Sequence, residues 1–102
     1  MVHPKISIVI PARDEERDLP ACLHAVSEAT HEAKTSIETI VVLNRCTDAT
    51  ETIARAHGCI IGYCELKNLS KIRNAGAALA KGEILITIDA DSRMARNFIN
   101  VI

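Results

Sequence analysis

"EILITIDADSR", residues Glu83 to Arg93, carries an apolar run rich in β-branched residues to its end and then sets two aspartates, Asp89 and Asp91, one residue apart. The first half has the composition of a short buried strand. The second half places two like charges on one side of an extended backbone, because side chains repeat every second residue. Such a pair is self-repelling and opposes folding unless something neutralises it. A divalent cation does so. Carboxylate oxygens suit Mg2+ or Mn2+, and magnesium sites use one or two carboxylates and fill the remaining positions with water and substrate phosphates. A nucleoside diphosphate fits that description.

Outward from this stretch, the hydrophobic period switches repeatedly between two and about 3.6. "ISIVI" (Ile6 to Ile10), "IETIVVL" (Ile37 to Leu43) and "CIIGY" (Cys59 to Tyr63) are further short β-branched runs bounded by breakers. Leu19, Cys22, Leu23 and Val26 repeat at helical spacing, as do Ile72, Ala75, Gly76 and Leu79. A helix between these two is signalled by Asp48 as cap, Glu51 at the capping-box position and Gly58 as a left-handed stop. Gly82 is expected to stop the last helix in the same way. The order β-α-β-α-β-α-β predicts an α/β fold: a Rossmann-like parallel sheet with alternating helices and right-handed crossovers, in a single domain over residues 1–102.

Composition removes several function classes. The 102 residues are 48% hydrophobic with a formal net charge of -1, and acids and bases are interspersed. Neither nucleic acid nor an anionic membrane finds a basic footprint here. No apolar stretch approaches the roughly 20 residues that span a bilayer, and "MVHPKISIVIPARDEE" has no signal-peptide cleavage pattern, so a soluble cytoplasmic protein without a transmembrane segment is expected. Cys22, Cys46, Cys59 and Cys64 form no C-x-x-C pair and read as reduced thiols. His57 and Cys59 lie close together but lack a second ligand pair at zinc spacing. His3, His24 and His31 fall at surface positions. The open edge of so small a sheet invites self-association.

In open α/β sheets, ligands bind beyond the carboxyl ends of the strands, where helix N-termini also point. Those ends read "PARDEE", "NRCTD", "CELKNLSKIRNAG" and "DADSR", all polar. "PARDEE" holds no glycine, so the dinucleotide G-x-G-x-x-G fingerprint is absent. Lys71 and Arg73, near the N-terminus of the last helix, are candidates for phosphate counter-charge.

In this order and context the segments resemble the N-terminal, nucleotide-sugar-binding half of family 2 glycosyltransferases, which have the GT-A fold. "ISIVIPARDEERDLPACL" is similar to the family's first strand, its Pro-Ala-x-Asn-Glu segment and first helix, with Asp14 replacing Asn. "IVVLNRCTDAT" is similar to its second strand and the Asp-x-x-Ser-x-Asp-x-Thr continuation, and "IRNAGAALAKGEILITIDAD" to its Arg-Asn-x-Gly helix and metal-binding Asp-x-Asp.

The resemblance implies that Pro11, Ala12, Arg13 and Glu15 fold around the base and ribose, that Arg73 faces the diphosphate, that Asp89 lies near ribose and metal, and that Asp91 ligates Mn2+ or Mg2+ directly. Leu43 stands where the family has an aspartate for the base, leaving Asn44 as a substitute. The implied function is metal-dependent binding of a nucleoside-diphosphate sugar, as the donor half of an inverting glycosyltransferase. No catalytic residue is assigned, because family members continue into an acceptor-binding half with a general base, so the domain is expected to be incomplete. A binding module without chemistry is one alternative. A haloacid-dehalogenase-type phosphotransferase is another, though it places Asp-x-Asp on its first strand and wants Thr or Val where Arg93 stands. Structural duties compete for some acids: Glu16 as a first-turn helix acid, Asp48 as a cap.

Overall fold

The computed structural model describes residues 3–101. Its elements run β1 (Ile6–Ala12), α1 (Leu19–Ala33), β2 (Ile37–Leu43), α2 (Thr50–Ala56), β3 (Ile60–Tyr63), α3 (Leu69–Leu79) and β4 (Ile84–Thr87), then a single 3-10 turn at Ile99–Val101. The four strands form one parallel sheet in the order β3-β2-β1-β4. The α/β alternation expected from the sequence is therefore the architecture. β1 reaches Ala12, two residues past the apolar run, because Pro11 and Ala12 continue the register against Val42 and Leu43.

Each β-branched run packs on two faces. Ile6, Ile8, Ile10 and Ala12 point one way, onto Leu19, Cys22, Leu23, Val26 and Ala29 of α1 and Ala54 of α2. Val9 points the other way and meets Ile40, Val42 and Ile72, where α3 covers the sheet. Burial on both faces explains the near-continuous hydrophobicity of a central parallel strand. Ile84, Ile86 and Ile88 join the α1-side core. Leu85, on the opposite face of β4, is 49% exposed, because α3 packs over β1, β2 and β3. Among the described residues no helix is long and apolar enough to cross a membrane.

Three local expectations are corrected. Gly82 is not a left-handed stop; α3 ends at Leu79 with an extended cap at Ala80. Glycine is needed there for close approach, since a β-carbon would lie 2.6 Å from the backbone nitrogen of Ser7. The Gly82 N–H donates to the fully buried Ser7 hydroxyl at 2.8 Å, and that hydroxyl donates to Glu38. Asp48 caps from one residue further out than expected: its Oδ1 accepts from the Thr50 N–H at 2.9 Å, and Ala49 holds the N-cap position. Glu51 does not close a capping box but accepts from Arg55 and Tyr63. Gly58 does adopt the left-handed conformation, with φ of 76°.

Candidate functional site

The chain winds outward from β1 to β2 and β3, then crosses back through α3 to place β4 on β1's other side. That reversal opens a crevice at the carboxyl ends of the strands. A cleft of about 320 Å³ lies there. Pro11, Ala12, Arg13 and Glu15 line it from the end of β1, Asn44 from the end of β2, and Asp89, Ala90 and Asp91 from beyond β4.

The two aspartates are held outward by the residue between them. Ala90 is 3% exposed and packs into the α1-side core, so Asp89 and Asp91 both reach solvent. The Ser92 N–H closes a turn onto the Asp89 carbonyl at 3.0 Å. Arg93 donates to the Asp91 carbonyl at 3.0 Å and its guanidinium lies 3.8 Å from Asp18. It braces the backbone, and the Asp91 carboxylate is left to the cleft.

The loop from β1 to α1 is fastened to the loop from β2 to α2. Asp14 sits at φ of 50°, a left-handed conformation that Asp and Asn tolerate better than other side-chain-bearing residues. Its Oδ1 accepts from the Thr47 N–H at 2.6 Å. The Glu15 N–H donates to the Thr50 hydroxyl at 2.8 Å, and the Glu16 N–H to Asp48 Oδ2 at 3.2 Å. These bonds set the direction of Glu15. Burial pushes the Glu15 pKa above its ordinary value, and the charges of Asp91, Asp18, Asp48 and Asp14 push it the same way. The lining thus carries more acid than base, with Glu15, Asp89 and Asp91 against Arg13 as the single cation among the described lining residues.

Of the residues expected at the site, the structure gathers Pro11, Ala12, Arg13, Glu15, Asn44, Asp89 and Asp91 around one cleft. Arg73 and Lys71 are exposed on α3 and do not line it. Leu69 and Ile72 do line it. Ile72 stands in the helical stripe as a core residue, and Leu69, three positions before it and next to the capping Asn68, extends that stripe by one turn, a signal the sequence reading missed.

Asp89 and Asp91 are the pair suited to a cation. No group of three or more His, Cys, Asp or Glu placed to hold a metal occurs among the described residues, the neighbourhood of His57 and Cys59 included. Two carboxylates facing an open, phosphate-sized cleft fit a magnesium-type site that substrate oxygens complete. A larger groove, about 580 Å³, lies between α1 and the start of β3, and none of these acids lines it.

The four-stranded parallel sheet with alternating helices is the fold of the N-terminal region of GT-A transferases. Residues 7–102 match the family model for glycosyl transferase family 2, and the chain belongs to that family. The glycosyltransferase AglE of Haloferax volcanii is 31% identical over 94 residues, covering 86% of this chain and 31% of AglE. S. aureus TarS, residues 1–349, superposes with a TM-score of 0.82 at 20% identity, over 95% of this chain and 30% of that one. Glucosyl-3-phosphoglycerate synthase from Mycobacterium tuberculosis, in complex with Mn2+, uridine diphosphate and glucosyl-3-phosphoglycerate, gives 0.78 at 23% identity, over 95% and 37%. The chain spans about a third of the length of the relatives it matches. Family membership and the position of the acids on β4 exclude the phosphotransferase alternative, which needs them on the first strand.

Proposed function

We propose that this chain is the donor side of an inverting glycosyltransferase that binds a nucleoside-diphosphate sugar with Mn2+ or Mg2+. The observation that carries the proposal is the meeting of Asp89 and Asp91 with Arg13 and Glu15 in one cleft at the sheet's crossover. Solved relatives support it: TarS has been crystallised with UDP and with UDP-GlcNAc, and the mycobacterial synthase with UDP and Mn2+.

Asp91 and Asp89 would hold the metal, Asp91 as its direct ligand, leaving the remaining positions to substrate oxygens. A bound cation supplies positive charge against the departing diphosphate. Arg13 adds a second positive group to the cleft, and Leu69 and Ile72 give it an apolar wall against which a base can pack. An acceptor hydroxyl attacks the anomeric carbon from the side opposite the diphosphate. The new carbon–oxygen bond forms as the bond to phosphate oxygen breaks, the hydroxyl proton passes to a base, and the configuration inverts. No residue of this chain is assigned as that base.

Titration calorimetry on the intact protein, with UDP and GDP in the presence and absence of Mn2+, tests the proposal. Metal-dependent binding of at least one diphosphate is expected. Failure of both to bind under every metal condition refutes it.

A further inference from the structure

Asn44 lines the donor cleft, yet its side chain is already occupied. It is 3% exposed. One amide proton donates to the Cys64 carbonyl at 2.6 Å and the other to the Leu66 carbonyl at 2.9 Å. Its Oδ1 accepts from Arg45 Nε at 3.1 Å. An amide has two N–H donors, so none remains for a ligand. The backbone around it points the same way. The Asn44 N–H donates to the Ala12 carbonyl at 2.9 Å, continuing the β1–β2 ladder, and the Cys64 N–H donates to the Leu43 carbonyl at 3.0 Å. A second fastening lies next door, where the Arg45 N–H donates to Glu65 Oε2 at 3.0 Å.

The segment held in this way, residues 64–68, runs from the end of β3 directly into α3. Asn68 caps that helix, accepting from the Lys71 N–H at 3.1 Å. The first two turns of α3 then present Leu69 and Ile72 to the cleft. Apart from these side-chain bonds the segment is poorly anchored: residues 65–71 are all exposed.

The geometry points to Asn44 as a positioning residue: by spanning the Cys64 and Leu66 carbonyls it sets the 64–68 segment, and through it the Leu69–Ile72 wall against which the nucleoside moiety of the donor packs. This rests on the donor-site proposal above, and it replaces direct contact between the Asn44 side chain and the base. A direct contact needs only an oxygen or nitrogen at that position. A clamp needs two N–H donors there, which makes the two roles separable by chemistry.

The test compares Asn44→Asp, Asn44→Ala and Glu65→Ala in the intact protein, with two readouts: hydrogen exchange without ligand at the Cys64, Lys71 and Ile72 amides, which are hydrogen-bonded at the two ends of the segment, and affinity for uridine, UDP and inorganic diphosphate with Mn2+. Asn44→Asp keeps the shape and an acceptor oxygen but replaces the nitrogen that carries both donors with an oxygen facing two carbonyls. With the clamp broken, exchange at Cys64, Lys71 and Ile72 is expected to rise about tenfold or more in both Asn44 variants, because two hydrogen bonds that hold the segment are lost. Uridine and UDP affinity falls about tenfold in both, and diphosphate affinity is unchanged. Glu65 is exposed and does not line the cleft, so its replacement by alanine removes no core contact. Its substitution should raise exchange about two- to threefold and weaken uridine in the same proportion, since one exposed bond is lost.

Nucleoside affinity retained in Asn44→Asp but lost in Asn44→Ala overturns the inference in favour of direct contact. Unchanged exchange in Glu65→Ala together with unchanged uridine affinity overturns it as well, even if the Asn44 variants do not fold. Should the wild type bind neither UDP nor GDP, the donor-site proposal fails by itself, while the exchange measurements still decide whether Asn44 holds the segment.

Discussion

Gly76 of α3 faces the sheet at its closest approach, and replacing it with alanine sets two known effects against each other. Alanine favours a helix interior over glycine by about 0.8–1.0 kcal/mol. Here, however, the new β-carbon would lie 2.4 Å from Val9 Cγ1, 2.9 Å from Val42 Cγ2 and 3.2 Å from Val9 Cγ2. Both valines are fully buried in central strands, and β-branched side chains have little rotamer freedom with which to retreat. Overpacking of this kind costs about 1–3 kcal/mol. The intrusion at 2.4 Å is severe, so the upper half of that range applies and Gly76→Ala should lose about 1–2 kcal/mol net. The helix relieves the clash by moving off the sheet, taking Leu69 and Ile72 with it, so uridine affinity should fall as well. Urea denaturation of the single variant and of Gly76→Ala in a Val9→Ala background measures the effect. Removing the Val9 methyls abolishes two of the three close contacts, and the alanine should then be near neutral, with a coupling of about 1 kcal/mol or more. Stabilisation by the full helix-propensity gain in the wild-type background would refute the packing argument.

Asp91→Ala should abolish metal-dependent diphosphate binding while leaving the circular dichroism spectrum intact; an undiminished Mn2+ effect in calorimetry would remove Asp91 from the metal site. Arg13→Ala should weaken UDP about ten- to a hundredfold, as expected for loss of a charge-assisted contact, whereas Arg73→Ala, outside the cleft, should change it less than about twofold; the reverse order would mean that the diphosphate lies along α3. Glu15 has a raised pKa in the folded state, so folding favours its protonated form, and stability falls as pH rises from its ordinary value of 4.5 through the raised one. Glu15→Gln should therefore gain in melting temperature relative to wild type as the pH moves from acid to neutral without metal, and Mn2+ should shrink the difference; a pH-independent difference would contradict the electrostatic origin.

The sheet was legible because parallel strands are buried on both faces and write their hydrophobicity continuously, as at Ile6–Ile10 and Ile37–Leu43. Crossover order then located the cleft, and the polar strand ends supplied most of its lining. What was not legible depended on tertiary neighbours. Gly82 looks like a helix stop, but the restriction comes from Ser7, 75 positions away in sequence. Asn44 reads as a ligand because it stands beside Leu43, where the resembled family has an aspartate for the base, and only the path of residues 64–66 shows where its amide goes. Arg73 turns away from the core as its stripe implies, but a helical period does not specify which strand end that face overlooks. Leu69, three positions before Ile72, continues the same helical stripe, but a stripe marks an apolar face without telling which part of that face opens onto a cleft.

The bonds that join the first two loops have a thermodynamic consequence for any ligand of the cleft. Asp14 to Thr47, Glu15 to Thr50 and Glu16 to Asp48 hold residues 14–16 and 47–50 before a ligand arrives. Ordering a loop on binding opposes affinity by about 0.5–1.5 kcal/mol for each side chain immobilised, and on this side of the cleft that ordering has occurred during folding. Association there should carry a small conformational entropy penalty, and cutting one of the bonds should show first as a less favourable binding entropy, with the contacts to the ligand, and hence much of the enthalpy, retained.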